Sequence, residues 1–159
     1  LKELQTRQSG EGKTLQLAAR LSGGRPGYAL RLLREPELMR ERNEWADAFF
    51  TLLGAGRVER LAFSASATRE RERGGARASL KTAFTHWLGL WRDLLLLQSA
   101  SDLPLVNADR AAELQGIAAR LEAGEAARQI RRLQAAYGRL PNASLTLMLD
   151  SLLLGWPRI

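Results

Sequence analysis

The fold is decided by the stretch from Ala78 to Ser99, which reads ASLKTAFTHWLGLWRDLLLLQS. Its large apolar residues recur at three- and four-residue spacings, which place them on one stripe of an α-helix. The stripe contains Leu80, Phe84, Trp87, Leu88, Trp91, Leu94 and Leu95. This pattern predicts a long central core helix rather than a cofactor-binding segment. The polar residues fall largely on the opposite side, where we expect water to solvate them: Lys81, Thr85, Arg92 and Asp93.

Leu96 departs from this pattern because it lies among the polar positions of the helix. The run Leu94–Leu97 therefore needs apolar cover nearly all the way round. That cover comes either from the rest of this chain or from another chain.

The composition excludes several kinds of site. A chain of 159 residues suits one domain, or one domain plus a piece of another. Because there is no cysteine, disulfides, thiolate zinc sites and cysteine nucleophiles are excluded. The single histidine, His86, would need several carboxylates to form a metal site, and we expect it to be an ordinary residue on a helix surface.

The chain carries no apolar run long enough to cross a bilayer and opens with no signal peptide, which favours the cytoplasm. It begins at Leu1 without a methionine, so we expect it to be a fragment of a longer protein. An amino-terminal catalytic domain would then lie outside it.

The net charge of +7 raises the possibility of nucleic-acid binding, because a basic surface attracts phosphates. However, the basic residues are almost all arginines that are dispersed and interleaved with glutamates. The charge is therefore weak evidence for contact with DNA.

Proline and glycine divide the rest of the chain into further helices. Asp109 and Asn142 are predicted N-caps. No stretch shows the two-residue alternation of β-strands, so the sequence predicts an all-α helical bundle. The predicted segments are Thr14–Leu21, Pro26–Leu33, Pro36–Leu53, Val58–Arg73, a helix from Asp109 to Leu121, Ala126–Leu140 and Ala143–Gly155.

The sequence SGEGKT, residues 9–14, ends like a nucleotide-binding P-loop. That loop needs a glycine where Arg7 stands, and it needs a buried strand before it. We therefore predict no ATP site at Lys13. Nothing in the chain resembles a catalytic triad or a serine-nucleophile elbow, and the arginine run from Arg69 to Arg77 is better explained as a solvated helix end. No catalytic residue, cofactor or metal is predicted.

The segment Leu17–Leu33, LAARLSGGRPGYALRLL, is more specific. It resembles the lid segment of bacterial clamp-loader delta-prime subunits, where a Leu-Ser-x-Gly-x-Pro-Gly-x-Ala-Leu pattern joins two lid helices. The run Trp91–Leu97 followed by Val106-Asn107 is similar to the family's collar helix and its next loop. The leucine-rich segment Asn142–Leu154 is similar to its closing helix. The lid motif comprises Gly23, Gly24, Arg25, Pro26 and Gly27.

The resemblance implies two parts: residues 1–33 as the tail of an AAA+ lid with two short helices, and residues 34–159 as a helical collar domain. Delta-prime subunits of DNA polymerase III do not hydrolyse ATP themselves. Gly27 stands where ATP-using relatives carry a sensing arginine, which fits a non-hydrolysing subunit. The chain would be a non-catalytic piece that helps assemble the complex that loads the sliding clamp in DNA replication.

Its expected partners are other clamp-loader subunits. DNA would be contacted only indirectly or weakly, and no membrane or small-molecule substrate is expected. Three apolar residues on otherwise polar helix faces are the candidate subunit contacts: Leu96, Leu147 and Leu154. Two alternatives stay open. One is the equivalent domain of the delta or ATPase subunit, and the other is an all-α, arginine-rich DNA-binding domain.

Overall fold

The computed structural model describes residues 12, 14–22, 26–69 and 75–159. Over these residues the chain forms eight α-helices and one short 3-10 helix, without any β-strand, so the all-α prediction is confirmed. The 3-10 helix, Ala108–Arg110, precedes α6. The α-helices are α1 (residues 14–21), α2 (Pro26–Arg34), α3 (Pro36–Gly54), α4 (Arg57–Arg69), α5 (Ala76–Gln98), α6 (Ala111–Ala118), α7 (Glu125–Arg139) and α8 (Leu145–Leu154).

Both predicted N-caps are wrong. The Asp109 carboxylate lies in the 3-10 helix and binds the guanidinium of Arg42, so it is not free to cap α6. The backbone N–H of Asn142 donates to the carbonyl of Arg139 at 3.1 Å, which makes Asn142 part of the turn that ends α7. Ser144 occupies the residue before α8 instead.

Helix α5 lies at the centre of the molecule, as its apolar stripe predicts. It packs against α3, α6 and α7, while α4 packs mainly along α8. The indole of Trp156, which follows α8, meets three aromatic rings edge-on, with centroids 5.1 Å from Phe49, 5.1 Å from Trp87 and 5.6 Å from Trp91. Each such ring buries about 150–250 Å² on folding. The carboxyl-terminal end is therefore part of the core.

The prediction of a solvated Asp93 is wrong, because this carboxylate is fully buried. It accepts hydrogen bonds from the backbone N–H groups of Val106 (3.0 Å) and Asn107 (2.7 Å). The side-chain amide of Asn107 and the guanidinium of Arg92 also donate to it. A buried carboxylate is tolerated when its lone pairs are satisfied in this way. Asp93 thus fixes the connection between α5 and α6.

Arg60 of α4 is also buried, and it joins the carboxyl ends of α3 and α8. Its guanidinium donates to carbonyls of both helix ends, where backbone oxygens lack partners within the helix and the helix dipole favours a cation. The accepting oxygens belong to Leu52, Leu53, Leu153, Trp156 and Pro157.

A second contact sets the direction of this helix pair. The hydroxyls of Thr68 and Thr146 are 3.0 Å apart at the other end of α4. Since Arg60 bonds the carboxyl end of α8 and Thr68 lies beside its amino end, α4 and α8 run antiparallel. Within the described ranges, no helix combines the length and apolar character that a membrane span requires.

Candidate subunit-interaction surface

Helix α8 has two apolar sides, as its sequence indicates. One side is core, where Leu149, Leu152 and Leu153 are buried. The other side carries Leu147 and Leu154, which are 71% and 42% exposed. Seven residues correspond to two helical turns, or about 10.5 Å along the axis. The two leucines therefore stand in one row on the outside of the molecule.

Beside Leu147, a groove of about 440 Å³ runs between α7 and α8. Its surface is mostly apolar, and two arginines of α7 stand along it. The lining residues are Arg132, Ala135, Ala136, Arg139, Ala143, Ser144, Leu147, Met148, Ser151 and Leu152. No carboxylate is among them.

Polar contacts hold the two walls of the groove together. Arg132 donates to the carbonyls of Gly155 and Ser151, each at 2.8 Å. The side-chain amide of Gln129 donates to the same Gly155 oxygen at 2.8 Å. A Cβ on residue 155 would collide with the Arg132 guanidinium, so this arrangement requires glycine there unless Arg132 moves. These hydrogen bonds thus fix the position of α7 relative to the end of α8 and hold the groove in shape.

The groove carries positive charge that no carboxylate of the described residues pairs with. Arg128, near the start of α7, pairs with Glu125. Farther along, the two arginines that line the groove, Arg132 and Arg139, have no carboxylate partner anywhere in the described part of the chain. Exposed charges in a shared groove attract an oppositely charged partner.

The third candidate contact, Leu96, does not join this surface. It lies on α5 and is partly buried, whereas Leu147 and Leu154 share one row on α8. Arg132 and Arg139 are not among the candidate contacts that the sequence predicts. Arg132 and Arg139 follow Arg128 by four and eleven residues, which places all three arginines on one face of α7. This spacing could have predicted a basic helix face from the sequence.

Part of the lid motif is described. Pro26 begins α2, where its missing N–H costs nothing, and Gly27 follows in the same turn. Gly23, Gly24 and Arg25 lie outside the described residues, and so does Lys13 of the rejected P-loop.

A second cavity, of about 350 Å³, lies between α2, α3 and α5. His86 lines it and is partly buried, so the expectation of an ordinary surface histidine is wrong. Burial, with a smaller contribution from the charge of Arg42, lowers the pKa of His86 to about 4. The imidazole is therefore neutral at pH 7.

Arg42, also in this cavity wall, is 1% exposed and already bound within the chain. Its donors reach Asn107 at 2.6 Å, Asn43 at 2.9 Å and the carboxylate of Asp109. The described residues that line this cavity accordingly offer no unpaired cation to a ligand. Across the residues that can be described, no three metal-ligating side chains come together.

Comparisons with models of known families, with curated proteins and with solved structures find no significant match to this chain.

Proposed function

We propose that this chain is the carboxy-terminal part of a clamp-loader delta-prime subunit of DNA polymerase III and acts in subunit assembly rather than catalysis. The observation that carries the proposal is the exposed row of Leu147 and Leu154 on a helix whose opposite side is already core. When one side of a helix is packed in the core, apolar side chains that stay exposed on its other side indicate a contact with a second protein.

Two of the three segments that carry the family resemblance, Trp91–Asn107 and Asn142–Leu154, are also segments on which the fold depends. Trp91 and Leu94 are buried in the core. Asn107 is held by Asp93, and α8 supplies three buried leucines. The residues that resemble the family's collar helix and closing helix are thus the residues that form the core of this chain. This supports the proposal.

In this proposal the mechanism is apolar burial between neighbouring collar domains. Burying a leucine side chain that was exposed contributes about 1.5–3 kcal/mol. Two such leucines, with polar contacts around them, are enough to make an interface depend strongly on this helix. The isolated chain exposes both side chains to water.

The experiment is co-expression of the full subunit with the delta and ATPase subunits of the same organism, followed by size-exclusion chromatography and native mass spectrometry. We expect one hetero-oligomer that contains this chain. Leu147→Asp combined with Leu154→Asp should weaken its incorporation about tenfold or more. Leu103→Asp is the matched control, since Leu103 is 59% exposed and lies between α5 and the 3-10 helix.

If the unaltered subunit does not assemble with these proteins, the proposal is wrong. Assembly in the stoichiometry of the delta or ATPase subunit instead would favour the equivalent domain of that subunit. The DNA-binding alternative draws support from the unpaired arginines of α7, and it predicts duplex affinity that persists at physiological salt.

A further inference from the structure

We propose that the groove between α7 and α8 binds an acidic amphipathic helix of the neighbouring subunit. In this arrangement apolar side chains of that helix seat beside Leu147, and its carboxylates pair with Arg132 and Arg139. The inference rests on the proposed function for the identity of the neighbour. The chemistry of the groove stands on the contacts described above.

The floor of the groove suits a helix. Ala135, Ala136 and Ala143 are small, so another backbone can approach α7 and its connection to α8. Met148 and Leu152 supply apolar depth, and Leu147 forms an exposed wall. Helices that dock in grooves present apolar side chains at positions i, i+3 or i+4, and i+7, and Leu147, Met148 and Leu152 offer such side chains apolar contacts.

The groove does not depend on its occupant for its shape. Besides the contacts of Arg132 and Gln129, the guanidinium of Arg77 donates to the carbonyls of Leu140 and Ala143 in the connection between α7 and α8. Binding to a preformed groove costs less conformational entropy than binding to a groove that must first become ordered.

Charge selects an acidic occupant. Arg132 uses two of the five N–H donors of a guanidinium for backbone carbonyls, so three remain. Arg139 is exposed and has no carboxylate partner among the described residues. Because no acidic side chain is among the described residues that line the groove, a basic helix would meet Arg132 and Arg139 there without an opposite charge beside them.

Two other occupants fit less well. A nucleic acid would use the arginines but would leave the exposed Leu147 without an apolar contact. A second copy of this chain would carry the same net charge of +7, and the repulsion between two such copies opposes self-association. A helix that combines leucines with glutamates satisfies both parts of the groove.

The test uses a fluorescent synthetic helix of about 20 residues, long enough to be helical, with a leucine stripe flanked by glutamates. One comparison peptide carries lysines in place of the glutamates, and another has the same composition with the stripe scrambled. We expect fluorescence anisotropy to show that the acidic striped peptide binds the chain at least about tenfold more tightly than either comparison peptide.

Variants of the chain then locate the site. Leu147→Asp and Arg139→Glu should each weaken binding about tenfold, whereas Leu103→Asp and Arg120→Glu should leave it unchanged. All four residues are exposed, so the variants should keep the circular dichroism spectrum and unfolding midpoint of the original chain. Binding of the acidic peptide should also weaken as salt is raised.

Equal affinity for the glutamate and lysine peptides would overturn the proposal, as would equal weakening by the control variants. Displacement of the peptide by duplex DNA at about 0.15 M salt would identify a nucleic-acid surface instead. Self-association that buries the groove, seen by light scattering, would also overturn it. Because the peptide assay contains no clamp-loader subunit, its failure leaves the proposed function standing. Peptide binding by a chain that does not join the complex would overturn only the identity of the neighbour.

Discussion

Buried charge is the feature of single residues that the sequence pattern predicts least well. Arg42, Arg60 and Asp93 are all charged residues at helical positions, and periodicity assigns such residues to a solvated face. Each is buried because polar partners from other segments satisfy it: Asp109 for Arg42, the end of α8 for Arg60, and the backbone of Val106 and Asn107 for Asp93. The spacing of residues along a helix carries no information about such contacts, so the burial of these three charged residues can be recognised only in the folded structure.

His86 provides a test of this burial through the pH dependence of stability. Its pKa is about 4 in the folded chain, against an ordinary value near 6.5, so the unfolded chain binds more protons between these values. The free energy of unfolding should therefore fall as the pH falls through this window. From pH 7 to pH 5 the expected loss from this residue is about 2 kcal/mol.

The measurement is urea unfolding of the original chain and of His86→Gln at several pH values from 7 to 5. Carboxylates titrate mainly below this window, and the chain has no other histidine. The variant should consequently show a much flatter dependence. If both proteins lose the same stability from pH 7 to pH 5, the histidine is not buried as the structure indicates.

At the scale of elements, the apolar stripes predict which segments are helices, while the helix ends depend on contacts that the pattern does not contain. The end of α5 is an example. The N–H of Ser101 donates to the carbonyl of Leu96 at 3.0 Å, and that of Ala100 donates to the carbonyl of Leu97 at 3.3 Å. This pair of bonds forms a Schellman motif, which places its next-to-last residue in the left-handed conformation. That residue is Ala100, with φ of 48°.

Ala100→Gly should stabilise the chain, because glycine adopts a positive φ without the strain that a Cβ introduces. We expect the free energy of unfolding to rise by about 0.5–1 kcal/mol in urea titrations. Ala119→Gly is the matched control: Ala119 is exposed and ends α6 with φ of −66°, where glycine only adds flexibility to the unfolded chain. The control should lose stability. A loss in both variants would show that α5 does not end in this motif.

For the molecule as a whole, part of the candidate interface follows from sequence and part does not. Leu147 and Leu154 follow from the apolar residues on both sides of α8. The groove does not, because its other wall belongs to α7, and the two walls meet through Arg132 and the carbonyl of Gly155. The division of the chain into two parts, residues 1–33 and residues 34–159, remains a prediction. The buried core cluster runs from Trp45 to Trp156 and so begins after this boundary.

Two truncations test that division. Among the described residues of 12–34, the buried apolar side chains are Ala18 and Leu32, so a chain of residues 34–159 loses little core. It should still unfold cooperatively and keep the near-ultraviolet circular dichroism of its tryptophans.

A chain of residues 1–142 loses Leu149, Leu152, Leu153 and Trp156. Losing one such side chain costs about 2–5 kcal/mol, so losing four costs about 8–20 kcal/mol, which is as large as the 5–15 kcal/mol that typically stabilises a whole domain. That shorter chain should not fold. If residues 34–159 also fail to unfold cooperatively, helices α1 and α2 and the rest of the bundle are one folding unit, and the boundary after Leu33 is wrong.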